Sequence, residues 1–405
     1  MIQGIFHAGG TFLDIGAIAV LTGAAWLIIW ISFCPEGEAA LSGRLLSRIR
    51  RLLFLCLAAL TISSADSLVQ RAMEMSGTGL AASLPLLSTV LFKTHYGSMW
   101  LVRLAGLCAA WTVVFAGRKY TGSRFFAVLM LCSVAVIAFA RSASGHPADY
   151  GDLSSQQLAD WLHLLAVSSL GGALLAVAGI SGVASASGDG APDGVISCVA
   201  GRLYAWFGPV LAVMVLTGVY NAWFQAGSFG ALATSAYGIL LSVKLVLVFV
   251  LAFRYIAPPE RGRDAALFAA RFFGHSRTDA AILALVLLLV SILVHKIPAK
   301  HQAHIALLRQ EAEQEKHEGY ASPDTGPVVT LDTRPARITA GVPADMTVRV
   351  QDKDGKPLNG LAIIHERILH AVIIGQDLNA FAHIHPEDLG PITEDMVKRA
   401  TLPLR

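Results

Sequence analysis

Eight long apolar stretches dominate this chain and constrain its fold more than any other feature. A helix of roughly 20 apolar residues crosses the hydrocarbon core of a bilayer, which is about 30 Å thick. The stretches cover residues 11–33, 49–69, 97–117, 123–142, 156–182, 203–225, 237–256 and 278–297. They predict a mainly α-helical fold, a polytopic membrane bundle of about eight transmembrane helices. The composition, 55% hydrophobic and 15% charged, fits this class.

The basic residues are distributed unequally between the loops, and this predicts the orientation. The loops after the first, third and seventh stretches are rich in arginine, whereas the opposite loops hold little more than Arg71, Lys93 and Arg141. The positive-inside rule therefore places the N-terminus, and after eight spans the C-terminus, outside the cytoplasm, in the periplasm of a bacterial inner membrane. With no Lys or Arg before Arg44, we expect the first stretch to be a retained anchor. The cytoplasmic loops account for the net charge of +3, so no nucleic-acid partner is predicted.

Three regions follow from the composition along the chain. Residues 1–298 form the predicted transmembrane domain, 299–321 a charged helical connector, and 322–405 a polar extracytoplasmic domain. Alternating residues predict strands at 328–333, 346–351, 361–364 and 370–374, with a turn at 352–357 and a further strand at the end of the chain. This spacing favours a small β-rich, immunoglobulin-like fold.

The five cysteines are not spaced as Cys-x-x-Cys pairs, and all fall within the stretches or on the predicted cytoplasmic side. We therefore expect no extracytoplasmic disulfide. As metal ligands they are weaker candidates than as small buried hydrophobic residues.

Ionisable side chains collect in the predicted outer half of the membrane or at its edge. Because such residues are costly inside hydrocarbon, they tend to be paired or functional. The group consists of Asp14, Asp66, Arg103, Asp160, His163, Asn221 and Lys244, with His95 and His146 just outside. We interpret His95, His146, Asp160 and His163 as a metal pocket, and Asp66, Arg103, Asn221 and Lys244 as a transport pathway. The alternative is structural: Arg103 or Lys244 pairs with Asp66 or Asp160 and locks the bundle together. Gly171 and Gly172 are expected to let another helix approach closely.

Twelve of the thirteen histidines lie at or beyond one edge of the spans, and the last four form a cluster near the C-terminus. Imidazole with a neighbouring carboxylate is a typical ligand set for borderline metal ions. His383 and His385 share one face of a strand, since residues i and i+2 do so. The predicted ligands are His365, Glu366, His370, His383 and His385. Copper, as Cu(I) or Cu(II), is favoured and zinc is the competitor, while a structural histidine network is the other interpretation.

These residues resemble the copper resistance protein D (CopD) family of bacterial inner-membrane proteins over most of residues 90–256. The resemblance lies in THYGSMWLVR at 94–103, SGHP at 144–147, DWLHLL at 160–165 followed by the glycines at 171–172, TGVYN at 217–221, and Tyr237, Gly238 and Lys244. The tail separately resembles a periplasmic heavy-metal-binding module with a His-Glu, His, Asp-Leu, Phe-x-His-x-His-Pro signature. What the resemblance implies is the handling of copper at the membrane or its movement across it.

The resulting hypothesis is a copper permease whose tail captures copper ions outside the cell membrane, with a periplasmic copper chaperone as a further partner. No phosphate-binding loop occurs in the sequence, so transport would be passive, potential-driven or proton-coupled. The sequence has no hydrolase motif, and we expect no enzymatic activity. Two alternatives stay open: a haem or electron-transfer protein, for which His163 and His295 are the available imidazoles, and a copper-binding docking or sensing protein that does not transport.

Overall fold

The computed structural model describes two compact units, residues 1–304 and 305–405. The described residues are 2–34, 39–77, 79–145, 147, 151–184, 194–226, 230, 235–256, 274–296, 327–336, 344–352, 354–358, 369, 371–374, 381–384, 396 and 401–404. The predicted connector, 299–321, lies outside them, and the predicted domain boundaries stay predictions.

The first unit is helical. Its helices are α1 (Ile2–Ile31), α2 (Ala39–Ser76), α3 (Leu80–Ser83), α4 (Leu87–Lys93), α5 (His95–Ala116), α6 (Arg124–Ser142), α7 (Ser155–Ala184), α8 (Gly194–Ala226), α9 (Ala236–Ile256) and α10 (Ser276–Leu293). Short 3-10 turns occupy Leu84–Leu86 and Arg118–Tyr120. Among the described residues, eight helices are long and apolar enough to cross a membrane, which confirms the predicted multi-pass membrane protein.

The helix boundaries differ from the prediction mainly at α2 and α8, which are much longer than the apolar stretches inside them. The segment from Leu80 to Lys93 was not predicted, because its apolar residues are too few to cross the bilayer. Pro85 separates its two short helices within a 3-10 turn.

Side-chain caps fix where two of the helices begin. The Gly97 amide of α5 donates to the Thr94 hydroxyl at 3.0 Å, and the Phe126 amide of α6 donates to the Ser123 hydroxyl at 3.1 Å. Each cap satisfies an amide that has no partner inside its helix. The Thr94 cap orients the start of α5, which carries His95, Tyr96 and Trp100.

Helix α1 is the centre of the bundle and packs against α2, α6, α7, α8 and α10. Its closest approach is to α7, where Gly23 lies directly against Gly172. A Cβ atom on either glycine would overlap backbone atoms of the other helix, so only glycine permits this crossing. The close approach predicted for the glycine pair of α7 is thus confirmed at Gly172.

The interpretation of all five cysteines as buried hydrophobic residues is wrong. Cys34 and Cys198 form a disulfide with their Cα atoms 5.9 Å apart, although 164 residues separate them. Spacing along the sequence does not reveal the pair because packing brings the end of α1 beside the start of α8. Of the three free cysteines, Cys108 and Cys132 are exposed on α5 and α6, and Cys56 is partly buried.

The second unit contains two small antiparallel sheets. The first has the strand order β1 (Val328–Arg334), β2 (Asp345–Gln351), β5 (Thr401–Leu404), and the second pairs β3 (Ala371–Ile374) with β4 (Phe381–Ile384). Val348 and Val350 of β2 form a small core with Leu358 and Ala371 packed against it. The strands predicted at 328–333, 346–351 and 370–374 are confirmed as to type, whereas 361–364 lies outside the described residues.

Candidate functional site

A polar pocket opens at the end of the bundle where α1 begins, and we call it the His7 pocket. Its walls come from α1, α2, α5 and α6, with Ser144 just after α6. The lining residues are His7, Gly10, Thr11, Asp14, Ser63, Asp66, Ser67, Gln70, Tyr96, Trp100, Arg103, Arg141 and Ser144. Most of them are polar, so this pocket interrupts an otherwise apolar bundle.

An ion network closes the inner end of the pocket. The buried Asp14 carboxylate pairs with Arg103, and Arg141 Nε lies 3.3 Å from Asp14 Oδ2. The Ser63 hydroxyl donates to Asp14 Oδ1 at 3.0 Å, and Arg103 Nε donates to the Ser64 hydroxyl at 2.7 Å. A carboxylate held by two guanidinium groups and a hydroxyl is stable in this buried position because all its lone pairs have donors.

This network differs from the expected one, since Arg103 pairs with Asp14 rather than with Asp66 or Asp160. Asp66 is exposed and accepts a hydrogen bond from the Gln70 side chain at 2.5 Å. Its carboxylate therefore faces the pocket without a guanidinium partner among the described residues.

Two imidazoles meet at the rim of the His7 pocket. The rings of His7 on α1 and His295, just beyond α10, stand edge to face with centroids 5.7 Å apart. His7 Nδ1 lies 3.5 Å from Glu74 Oε1 of α2, and His295 Nε2 lies 2.9 Å from the Thr11 hydroxyl. The rim thus gathers two nitrogen donors and a carboxylate from three helices.

The environment of His295 favours its neutral form. Partial burial lowers the pKa of His295 below its ordinary value, and the nearby His7 and Arg141 lower it further. A neutral imidazole has a lone pair available for a metal ion, whereas a protonated one has none. His295 is therefore able to act as a ligand in mildly acidic surroundings.

If this rim binds a metal ion, we expect the binding to be lost at lower pH than with an unshifted imidazole, whose ordinary pKa is about 6.5. Binding weakens as pH falls because protons compete for the nitrogen, and the lowered pKa of His295 moves that loss to lower pH. Replacing Arg141 with glutamine removes one of the charges that lower this pKa, so the midpoint should move upward. Cu(II) titrations at a series of pH values measure both midpoints. An unchanged midpoint in the Arg141→Gln variant would contradict the assignment of His295.

A second polar cluster joins α6, α7, α8 and α9. The Ser142 hydroxyl donates to Asp160 Oδ2 at 2.7 Å, and Lys244 interacts electrostatically with both Asp160 and His163. His163 Nδ1 lies 3.0 Å from the Met214 carbonyl oxygen and 3.1 Å from the Thr217 hydroxyl. The ring rests against Gly218, where a Cβ would lie 2.9 Å from its Cε1 atom.

The remaining predicted residues are dispersed or lie outside the described part of the chain. His95 is about half exposed and its Nε2 lies 2.9 Å from Asp152 Oδ1. Asn221 is partly buried on α8. His383 belongs to β4, where its backbone pairs with Val372. His146, His365, Glu366, His370 and His385 lie outside the described residues, as does the side chain of His383.

Within the described ranges, no three His, Cys, Asp or Glu side chains come together as a ready set of metal ligands. A structural metal site usually closes around four ligands.

Sequence analysis did not select His7, Glu74, Arg141 or His295 for the site. His7 and His295 are separated by nearly the whole first unit, and only the packing of α1 against α10 brings them together. One signal was present: both histidines stand at the same predicted membrane edge, at the ends of the first and last spans.

The fold and pocket define a multi-pass helical membrane protein with a polar opening at one end. Residues 7–155 match the family model described as copper resistance protein D-like, N-terminal domain. Residues 302–402 match a domain of unknown function (DUF8832). Comparison with curated proteins gave no match, and comparison with solved structures gave none.

The first match supports the CopD family for a segment that begins at His7 and contains every lining residue of the His7 pocket. It overlaps the predicted resemblance at residues 90–155. The tail match carries no function, so the His-rich metal-binding module stays a prediction.

Proposed function

We propose that this protein handles copper at the bacterial inner membrane and moves copper ions inward through the His7 pocket. The family match over residues 7–155 supports copper as the cargo. The unequal distribution of arginine between the loops supports an extracytoplasmic position for the pocket, with both termini in the periplasm.

The observation that carries the proposal is the meeting of His7 and His295 at the rim of a polar pocket. Imidazole binds copper in either common oxidation state, and the exposed Asp66 and Glu74 carboxylates attract cations to the rim. The Asp14, Arg103 and Arg141 network lies deeper. Its buried positive charges oppose a bare cation, so an ion has to be passed along ligands rather than diffuse freely.

The second cluster supplies the next ligands in this proposal. Asp160 and His163 receive copper after the rim, His95 and His146 are proposed as further ligands, and Lys244, Asn221 and Arg103 line the pathway. An inside-negative potential favours inward movement of a cation by about 2.3 kcal/mol per charge per 100 mV. The process is transport without an enzymatic step.

The C-terminal unit, proposed as a small immunoglobulin-like domain, captures copper with His365, Glu366, His370, His383 and His385. A periplasmic copper chaperone is the proposed donor, and zinc is the competing ion. The placement of the His383 backbone on β4, paired with β3, supports a ligand set that is built in part on a strand.

Uptake of copper by proteoliposomes tests transport against binding alone. Vesicles that contain the full chain should accumulate copper faster than protein-free vesicles when an inside-negative potential is imposed. The variant His383→Ala/His385→Ala should lower uptake at limiting copper and leave uptake at saturating copper unchanged, because only capture is lost. Copper that binds to the protein without entering the lumen would leave a docking or sensing role instead.

A further inference from the structure

The disulfide between Cys34 and Cys198 lies far from the His7 pocket. Helix α1 runs from the pocket to Ile31, three residues before Cys34, and at 1.5 Å per residue the 24 steps from His7 to Ile31 correspond to about 36 Å. The pair therefore stands at the end of the bundle that the proposed orientation assigns to the cytoplasm. Cysteines in that compartment are kept as thiols by glutathione-class reductants.

We propose that Cys34 and Cys198, in their reduced form, bind one Cu(I) ion as a two-coordinate dithiolate site from which copper leaves the membrane domain. The role as an exit rests on the proposed function, whereas the binding site itself rests on the geometry of the pair. Thiolate is the softest ligand in proteins and selects Cu(I) over the harder divalent ions.

The geometry fits such a site. With Cα atoms 5.9 Å apart, the two side chains already point at one another. Once the bond is reduced, rotation about each Cα–Cβ bond can separate the sulfur atoms enough for an ion between them, since metal–sulfur bonds are about 2.3 Å in zinc sites. The two thiols stand on different helices, so one ion would hold the end of α1 to the start of α8, as the disulfide does.

Two arginines supply the charge that this complex needs. Arg202 stands one helical turn after Cys198, and its Nη2 donates to the Phe33 carbonyl at 3.1 Å, next to Cys34. The guanidinium carbon Cζ of Arg124 lies 3.7 Å from the centroid of the Phe33 ring. A Cu(I) dithiolate carries one net negative charge, which these guanidinium groups offset.

Arg202 provides an independent observation that points to a ligand. Its Nε–H is buried and has no acceptor among the described residues. A buried donor without an acceptor costs free energy unless something accepts from it. We infer that a thiolate sulfur of the reduced pair, with Cys198 one helical turn before Arg202, supplies this acceptor.

Reduction of the disulfide and binding of Cu(I) both balance with a thiol reductant and one Cu(I) ion. Reduction takes two electrons and two protons from two thiols of the glutathione class, which become a disulfide, and gives two free cysteine thiols. Binding then forms two Cu–S bonds and releases both thiol protons. Neither step changes the oxidation state of Cu(I).

Competition between the full-length protein and a chromophoric Cu(I) chelator tests this site under anaerobic conditions. Reduced wild-type protein should bind one more Cu(I) per chain than Cys34→Ser, Cys198→Ser or the double variant, and should show thiolate-to-copper absorption in the ultraviolet. Cys108→Ser is the matched control and should bind as wild type, because Cys108 is an exposed thiol without a partner cysteine.

Oxidised wild-type protein gives a test that requires no substitution. Thiol counting should find five thiols after reduction and three while the disulfide is intact, since the chain has five cysteines. The oxidised form should also bind one Cu(I) fewer. Equal Cu(I) stoichiometry in the reduced, oxidised and Cys→Ser proteins would overturn the inference and leave copper import untouched. Normal import by the variant His7→Ala/His295→Ala would refute the proposed route and leave the thiol site standing.

Discussion

Replacing Asp14 with leucine is expected to lower the free energy of unfolding by about 3–5 kcal/mol, the usual cost of breaking a buried ion pair. The carboxylate stands between Arg103 and Arg141, so its removal leaves two buried guanidinium groups that repel one another. Leucine has the same number and branching of side-chain heavy atoms as aspartate, so the loss of the charge is the main change. The thermal midpoint in detergent or nanodiscs, followed by fluorescence, measures the loss.

The double variant Asp14→Leu/Arg103→Met should recover part of that loss. It removes one of the two unpaired charges and replaces the pair with apolar side chains, which buried sites often tolerate. Asp66→Asn is the control, because this exposed carboxylate on α2 has an amide partner, Gln70, and should change stability by less than about 0.5 kcal/mol. If Asp14→Leu and Asp66→Asn have the same thermal midpoint, the ion network of Asp14, Arg103 and Arg141 does not stabilise the helix bundle.

Replacing Gly172 with alanine is the second substitution with a large expected effect, a loss of about 3 kcal/mol from overpacking. The new Cβ would overlap the Ala19 carbonyl oxygen on α1. A backbone atom cannot rotate away as a side chain can, so α1 and α7 must move apart. Because α1 contacts most of the bundle, the shift should also disturb the His7 pocket.

Gly201→Ala is the matched control for this substitution. Gly201 lies inside α8, and a Cβ atom added at this position would have no neighbouring atom within 4 Å. Alanine should therefore leave stability unchanged or raise it by up to about 1 kcal/mol through its higher helix propensity. Equal thermal midpoints for the two glycine variants would show that the close crossing of α1 and α7 does not matter for stability.

The number and type of the membrane helices could be predicted because the bilayer imposes a length on each apolar stretch. The longer α2 could not be bounded in this way, since its arginine-rich start, around Arg44 and Arg48, is polar and outside the apolar stretch. Helix propensity and packing, rather than hydropathy, extend a helix beyond the membrane.

The candidate site was harder to predict, because contacts between distant helices leave no local pattern. The sequence suggested Asp66 or Asp160 as the carboxylate partner of Arg103, although Asp14 lies at a similar predicted depth. Only packing selects Asp14. His7 and His295 remained unselected for the same reason, while His163 was recognised because Asp160 precedes it on one face of α7.

The initial rate of copper uptake into proteoliposomes, with the pocket facing outward, tests the proposed import route most directly. The variant His7→Ala/His295→Ala should lose most of the uptake that wild-type protein supports. His275→Ala should retain it, because His275 directly precedes α10, at the opposite end of that helix from His295. Equal uptake by all three proteins, each correctly folded, would contradict import through the His7 pocket.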